Sequence, residues 1–370
     1  MLNHFELLEK HALFASVDEM LSPAALSGAL HRPVRTVQRV PAEVNGTSGN
    51  PMEWVTLDGD AQPRYLLKRI DPQNDWIMQA SQDVLCRSVT LWQYGLLDRL
   101  LPQLDHTVIA CSREPTGWAM LMQDVSAGLF SSARPWTVAQ VHGVLDALAY
   151  LHATFWASEE LQSPDLGLQD PAGCVGLFTV PNVQRFAPSS RWLPGVILKG
   201  CERMQTLLEP DALELYRELM FKPERLLAAL GKYPLTLVHG DYRGAEDGNI
   251  SLMPGSPAQV CAFDWQLASY GLMTVDLAWF ANCSDTARLT LTPEQATGYY
   301  RQRLEHYLGF GFDMRTWQAM VDLGFLVDTL RCGCFGAYFV FHETDQANQA
   351  RPRAEVNSFN DRIRAGARWL

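Results

Sequence analysis

An apolar run turns into a polar loop in Leu237-Val238-His239-Gly240-Asp241-Tyr242-Arg243, and the same change recurs at Phe263-Asp264-Trp265. Asn249 lies in the polar loop between these two stretches. The pattern predicts two short buried strands whose ends present Asp241 and Asp264 on one turn-rich face. Such a face suits phosphoryl transfer, because one carboxylate must reach the attacking hydroxyl while oxygen ligands hold Mg²⁺ on the nucleotide phosphates.

The segment resembles the aminoglycoside phosphotransferase and choline kinase-like family of small-molecule kinases. The usual form in that family is His-Gly-Asp, a short loop to Asn, and Asp-Trp-Gln or Asp-Trp-Glu after a short strand. Here Asp264-Trp265-Gln266 supplies the last part, and Gly271 and Asp276-Leu277-Ala278 follow as in the family. The resemblance is specific between His239 and Ala278, and in element order it covers roughly residues 34–280.

The resemblance implies an α+β, bilobal, protein-kinase-like fold. Residues 1–122 would form a small lobe built on an antiparallel sheet, and residues 123–370 a mostly helical large lobe. A chain of 370 residues is long enough for two such units, since single cores tend to split beyond about 250–300 residues. The resemblance also implies ATP and Mg²⁺ as cofactors and a small-molecule alcohol as the acceptor.

The same resemblance assigns roles to the polar residues. Asp241 would orient the acceptor hydroxyl and accept its proton, and Arg243 would steady the loop or the transferred phosphate. Asp264 would hold Mg²⁺ with the help of Asn249. Asp276 would be a structural acid that caps a helix and braces the catalytic loop.

One spacing departs from the family. The Asn usually lies five places after the catalytic Asp, where this chain has Glu246. Either the loop has a three-residue insertion that moves the Asn to Asn249, or Glu246 or Asp247 replaces it as a metal ligand. We favour the insertion, because Asn249 leads directly into an apolar stretch that reads as a strand.

The N-terminal third reads as the sheet of a kinase small lobe. A strand at 54–57, a turn, and a second strand at 65–70 place Lys68 at a strand end, where it would neutralise the nucleotide phosphates. Gly46 and Ser48 lie in a preceding loop that would cover the phosphates through its N–H groups. A buried strand at 118–122 leads to Gln123 and Asp124, the expected hinge for the adenine base.

Protein kinases hold the strand lysine with a Glu from a neighbouring helix. Apolar residues spaced through 75–101 predict that helix. Ser88 stands where the Glu is expected, and Asp83, one turn earlier, is the alternative partner for Lys68. The missing Glu is the strongest sequence argument against full activity.

The remaining chain divides into helical and irregular parts. Periodicity predicts helices within 1–30, with a start at Ser22-Pro23, and over 137–156, 207–230 and 293–342. Residues 161–203 are rich in Pro, Gly and Ser and read as irregular, and the tail from Arg351 reads as a short helix. His152 is expected to be a packed helix residue and not a base.

The composition argues against several classes of binding partner. The chain has 30 Lys and Arg against 41 Asp and Glu, a net charge of −11, which argues against a nucleic-acid-binding face. No apolar run reaches the roughly 20 residues of a membrane span, and no signal peptide is evident. The eight scattered Cys lack zinc-site spacing, so we expect free thiols in a cytoplasmic protein without a membrane partner.

The sequence therefore favours an ATP-dependent kinase of a small-molecule hydroxyl, with the acceptor unidentified. The main alternative is a catalytically impaired pseudokinase that binds nucleotide or protein partners, suggested by Ser88 and the altered spacing to Asn249. A hydrolase built on His239 and Asp241 is disfavoured, because the chain lacks a Gly-x-Ser-x-Gly nucleophile elbow.

Overall fold

The architecture comes from a computed structural model of the chain. It describes residues 7–43, 49–60, 64–185, 192–255, 258–283, 290–342 and 358–370. Gly46 and Ser48, expected to cover the phosphates, lie outside the described residues.

A five-stranded antiparallel sheet forms the small lobe, in the order β1-β2-β3-β5-β4. Its strands are β1 (Val37–Pro41), β2 (Met52–Leu57), β3 (Tyr65–Ile70), β4 (Val108–Glu114) and β5 (Gly117–Gln123). The expected lobe boundary at residue 122 falls at the end of β5. The sequence did not single out β4, which pairs with β5 along the edge of the sheet.

Two short N-terminal helices cover one face of this sheet. They are α1 (Val17–Met20) and α2 (Pro23–Ala29), and Ser22 caps the start of α2 as predicted. Met20 and Leu26 on these helices are fully buried in one apolar cluster with Val55 and Leu67 of the sheet. The small lobe thus has an apolar cluster between these helices and the sheet.

The continuous helix expected over 75–101 is wrong. The chain forms α3 (Trp76–Ala80) and α4 (Arg87–Gln93), followed by a 3₁₀ turn at Leu97–Leu100. Between the helices, Gln82 and Cys86 adopt positive φ angles of 53° and 61°. The carboxylate of Asp83 accepts the N–H of Arg87 at 3.0 Å, so a side chain takes over the first orphan donor of α4.

The large lobe is mostly helical. Its helices are α5 (Val138–Thr154), α6 (Pro171–Gly176), α7 (Val180–Gln184), α8 (Trp192–Leu207), α9 (Pro210–Phe221), α10 (Glu224–Leu230), α11 (Thr274–Cys283), α12 (Pro293–Leu308), α13 (Met314–His342) and a C-terminal helix at 358–367. The expectation that 161–203 is irregular is therefore wrong in part. Asp170 caps α6 by accepting the N–H of Gly173, and α7 and α8 also form despite the Pro and Gly content.

Helices α5 and α13 organise the core of this lobe. Helix α5 begins with a capping box, in which Thr137 accepts the N–H of Gln140 and the Gln140 side chain accepts the N–H of Thr137. It packs against α12, while α13 packs against α8 and α11. The C-terminal helix at 358–367 buries Phe359 and Ile363 in the same core, as the predicted tail helix would.

Two small antiparallel sheets of two strands each lie where the lobes meet. Strand β6 (Thr236–Val238) pairs with β9 (Ser269–Gly271), and β7 (Ile250–Met253) pairs with β8 (Gln259–Ala262). Their ends carry the His-Gly-Asp and Asp-Trp-Gln segments. The small antiparallel lobe, the helical lobe and these strands between them confirm the predicted bilobal, protein-kinase-like α+β fold.

None of the helices in the described residues combines the length and the apolar character needed to cross a membrane.

Candidate active site

The backbone of the loop that begins at His239 is held by hydrogen bonds to Asp276. Strand β6 ends at Val238, and the next two N–H groups, of His239 and Gly240, donate to the Asp276 carboxylate at 2.7 and 2.8 Å. Burial by itself would raise the pKa of Asp276, but the hydrogen bonds from His152 and Gly240 lower it. Asp276 thus braces the loop as predicted. It lies inside the first turn of α11, so the predicted helix-capping role is wrong.

His239 connects the two polar segments. Its Nδ1 accepts the N–H of Asp241 at 3.2 Å, so Nε2 carries the proton and donates to the Phe263 carbonyl at 3.0 Å. Complete burial is the main cause that lowers the pKa of His239 and keeps the ring neutral. One imidazole therefore fixes the distance between the Asp241 loop and the residue that precedes Asp264.

The carboxylate of Asp241 is oriented from two sides. Its Oδ1 accepts the indole N–H of Trp279 at 2.8 Å and Nε of Arg243 at 3.1 Å. Its Oδ2 accepts Nδ2 of Asn249 at 2.7 Å. The Asp241 side chain remains about one-fifth exposed, so it can still be reached from solvent.

The loop after Asp241 brings Asn249 back to the site. Arg243 pairs with Asp247 at 2.6 Å, and the N–H of Asn249 donates to the Arg243 carbonyl at 3.2 Å. Glu246 points elsewhere and accepts the Ser132 hydroxyl at 2.7 Å. Asn249 therefore faces the Asp241 carboxylate, whereas Glu246 and Asp247 bind other groups, and the choice of Asn249 as metal ligand stays a prediction.

Lys68 and Asp264 meet across the lobes. The Lys68 ammonium, on β3, lies 2.8 Å from Oδ1 of Asp264, a residue with a left-handed φ of 61°. Burial tends to lower the pKa of Lys68, but the carboxylates of Asp264 and Asp75 outweigh it and raise the pKa. The lysine is thus held charged at the cleft between the lobes.

Asp83 is not the partner of Lys68, so this alternative is wrong. Its side chain is buried against Arg87, with Nε of Arg87 3.5 Å from Oδ2. Burial is the main cause that raises the pKa of Asp83. Ser88 is also buried, and its uncharged hydroxyl cannot form an ion pair in place of a Glu.

The expected hinge lies between the two lobes, but its N–H groups are already engaged. The N–H of Gln123 donates to the Thr107 carbonyl and that of Asp124 to the Arg64 carbonyl, each at 2.8 Å. The Asp124 carboxylate accepts the N–H of Ser126. These two residues can therefore offer a ligand their carbonyl and side-chain groups more readily than their backbone donors.

Sequence reasoning missed two residues that contact the site. Trp279 follows the Asp276-Leu277-Ala278 motif and holds Asp241, and Asp75 caps α3 while binding Gln266 at 2.6 Å. Neither residue belongs to a sequence pattern that predicts a functional site. A Trp on an apolar helix reads as core, and an Asp before a helix reads as a cap.

Oxygen atoms suited to Mg²⁺ remain at the junction. Asn249 donates through Nδ2, which leaves its carbonyl oxygen, and Asp264 binds Lys68 through Oδ1, which leaves Oδ2. The backbone carbonyl of Asn249 accepts the N–H of Phe263 at 3.1 Å. The side chains of Asn249 and Asp264 therefore extend from neighbouring, hydrogen-bonded stretches of backbone. One carboxylate and one amide oxygen fit an ion that keeps several waters or phosphate oxygens. Within the described ranges, no group of three or more His, Cys, Asp or Glu side chains forms a metal cluster.

Comparison with known proteins places this site in context. A search of curated proteins found no match. Among solved structures, a microcompartment-associated aminopropanol kinase is 14% identical, with a TM-score of 0.47, covering 94% of this chain and 100% of the other. An ethanolamine kinase of Plasmodium vivax is 12% identical, with a TM-score of 0.49, covering 87% and 82%. A spectinomycin phosphotransferase, solved with ADP and spectinomycin, is 11% identical, with a TM-score of 0.46, covering 91% and 94%.

The family comparison concerns the segment that carries the site. Residues 179–320 match the model of the APH family, described as the phosphotransferase enzyme family. This range contains Asp241, Asn249, Asp264 and Asp276, while Lys68 lies outside it. The predicted resemblance to the aminoglycoside phosphotransferase and choline kinase-like group is therefore confirmed, and the chain is similar to small-molecule phosphotransferases.

Proposed function

We propose that this protein is an ATP- and Mg²⁺-dependent phosphotransferase that transfers the γ-phosphate to a hydroxyl of a small molecule. One observation carries the proposal. Lys68 of the small lobe lies 2.8 Å from Asp264 of the large lobe, and Asn249, whose backbone pairs with Phe263, binds Asp241 at 2.7 Å. Four residues of the expected types thus form one continuous polar junction between the lobes.

Each site residue has a separate role in the proposed reaction. Asp241 orients the acceptor hydroxyl and takes its proton through a carboxylate that Trp279 and Asn249 hold in place. Lys68 places a buried positive charge where the phosphates enter. Asp264 and Asn249 would hold Mg²⁺, which when bound neutralises charge on the phosphates. Arg243 keeps the loop closed through Asp247.

The test separates binding from transfer. Thermal unfolding with ATP, with and without Mg²⁺, should show a Mg²⁺-dependent stabilisation, since a ligand at a hundred times its Kd contributes about 2.7 kcal/mol. Asp264→Asn should remove the Mg²⁺ dependence. Asp241→Asn should keep nucleotide binding and reduce ADP formation with water or a hydroxylated amine by at least about 10²-fold.

Asp313→Asn serves as the control variant, because this exposed acid accepts the N–H of Thr316 at the start of α13 and contacts neither Asp241 nor Asp264. It should retain the response to Mg²⁺ and most turnover. Full turnover in Asp241→Asn would refute the catalytic role of this residue. A wild-type protein that binds Mg²⁺ and ATP but forms no ADP with any acceptor would favour the pseudokinase, for which the absence of a helix Glu at Ser88 is the motivating observation.

A further inference from the structure

Lys68 requires a second countercharge under the proposed function. In the structure its ammonium is 8% exposed and is paired with Asp264. If Asp264 held a metal ion, as the proposed function requires, that pair would weaken, and a buried ammonium without a partner is unfavourable. The usual solution is a helix Glu, but position 88 is Ser and the carboxylate of Asp83 is engaged by Arg87.

Asp75 is the remaining carboxylate beside Lys68. It is completely buried, and its Oδ1 accepts the N–H groups of Ile77 and Met78 at 3.0 Å. Its Oδ2 accepts Nδ2 of Asn50 at 2.5 Å and Nε2 of Gln266 at 2.6 Å. These donors are neutral, so they solvate the negative charge without cancelling it.

A small cavity lies beside both charged side chains. It measures about 10 Å³, close to the room that one water occupies, and Lys68, Asp75 and Ser88 line it together with Asn50 and Gln266. Lys68, Asp75 and Ser88 thus share one cavity, so the charge of Asp75 lies near both the ammonium and the position where a helix Glu is expected.

Asp75 also contacts both segments that flank the nucleotide site. Asn50 stands two residues after Ser48, in the stretch that leads from the expected phosphate loop into β2. Gln266 stands two residues after Asp264. A single buried carboxylate thus connects Asn50, the start of α3 and the Asp-Trp-Gln segment.

We propose that Asp75, from the N-terminus of α3, is the positioning residue for Lys68 and for the Asp264 segment, in the role that a helix Glu otherwise fills. The inference rests on the proposed function for its catalytic meaning. Its electrostatic part, the coupling of Asp75 to Lys68, is a property of the nucleotide-free protein and can be measured without turnover.

The first experiment is a double-mutant cycle on the free energy of unfolding of the full chain. Asp75→Asn keeps the helix cap but removes the charge, and Lys68→Met removes the ammonium while keeping much of the stem. We expect the loss in the double variant to be clearly smaller than the sum of the single losses, because each single variant already removes the attraction between the two charges. Asp75→Ser, another good cap, replaces Asp75→Asn if the latter fails to fold.

The matched control cycle combines Asp83→Asn with Lys68→Met. Asp83 is buried and lines the same cavity, but its charge faces Arg87. These two losses should add. Additive losses in the Asp75 cycle, or equal coupling in both cycles, would overturn the inference whether or not the protein is a kinase.

The second experiment measures ATP binding and Mg²⁺-dependent ATP hydrolysis. A positioning residue predicts that Asp75→Asn lowers turnover by about 10- to 100-fold while the Kd for ATP does not rise, because the variant removes a negative charge near the phosphates. A parallel loss of affinity and turnover would indicate a structural role and overturn the inference. A wild-type protein that forms no ADP with water or with any acceptor, but in which Asp75 and Lys68 are coupled, would count against the proposed function alone.

Discussion

At the scale of single residues, Gly240 sets the shape of the catalytic loop. Its φ is 82°, and a Cβ built there would lie 2.3 Å from the carbonyl oxygen of Leu267. The close approach of these two backbones is what brings the His-Gly-Asp and Asp-Trp-Gln segments side by side. A side chain at this position would separate them.

Gly240→Ala should therefore lower the free energy of unfolding by more than the roughly 1–2 kcal/mol of a left-handed residue alone. Gly309→Ala is the matched control, since Gly309 also has a positive φ, of 75°, but no atom lies within 4 Å of its added Cβ. Urea unfolding of both variants measures the difference. Equal losses would mean that the contact with Leu267 relaxes freely.

The candidate site residues that could be predicted are those marked by the sequence immediately around them. Asp241 and Asp264 end apolar runs, and Lys68 stands at the end of a strand, so each could be selected from the sequence. Trp279 and Asp75 reach the site through tertiary contacts with residues 38 and 191 positions away. Nothing in a window of neighbouring residues encodes such pairings.

At the scale of elements, helix α11 positions the loop that carries Asp241. Asp276 holds the loop backbone, and Trp279, three residues later and therefore on the same face, holds the Asp241 side chain. The helix is fixed in turn by α13, which it packs against, and by the contact of His152 on α5 with Asp276. The geometry of one helix is thus transmitted to both parts of the loop.

Asp276→Asn should destabilise the protein by about 2 kcal/mol or more, because the new amide N–H₂ faces buried backbone donors. It should also reduce turnover, since the loop that carries Asp241 loses its support. Asp313→Asn is the control, because Asp313 accepts the N–H of Thr316 from a solvent-exposed position. Unfolding experiments and ADP release measure the two effects. Unchanged stability in Asp276→Asn would contradict the bracing role.

Elements were predictable where pattern and capping agree. Strand β3 and helix α5 appear where the sequence places them, because alternation and a capping box specify them locally. The helix expected over 75–101 failed because a periodic apolar pattern does not reveal the break at 81–86. That break depends on the carboxylate of Asp83 and on positive φ angles at Gln82 and Cys86.

At the scale of the whole molecule, the C-terminal helix returns to the large lobe. Arg364 binds Asp211 at 2.7 Å and Glu209 beside it, at the start of α9, while Trp369 donates to Asp322 of α13 at 2.8 Å. The pair with Arg364 is the main cause that lowers the pKa of Asp211 to about 2. The end of the chain is thereby fastened by charge as well as by burial of Phe359.

The pH dependence follows from that lowered pKa. The ion pair contributes above the unfolded pKa of Asp, about 3.9, and its contribution is lost as the pH falls toward 2. Asp211→Asn should therefore have a lower Tm than the wild type at pH 6, and the difference should narrow at pH 3.5. A Tm difference that stays constant between these pH values would show that the charge of Asp211 is not responsible.

The overall fold was predictable because its two halves differ in periodicity, with the five-stranded sheet before residue 123 and the long helices after it. The relative placement of the lobes was not, because it depends on contacts such as Lys68 with Asp264 and Arg87 with the Gln266 carbonyl. These pairs are distant in sequence, and a resemblance to a family anticipates their geometry where periodicity cannot.

The Lys68–Asp264 ion pair also makes the two cofactors depend on each other. An ammonium that occupies the carboxylate competes with a metal ion for it, so under the proposed function free Mg²⁺ should have little affinity for the protein. Triphosphate oxygens offer Lys68 another partner and release that carboxylate. By thermodynamic reciprocity each cofactor then increases the affinity for the other, and the pair should enter as one complex.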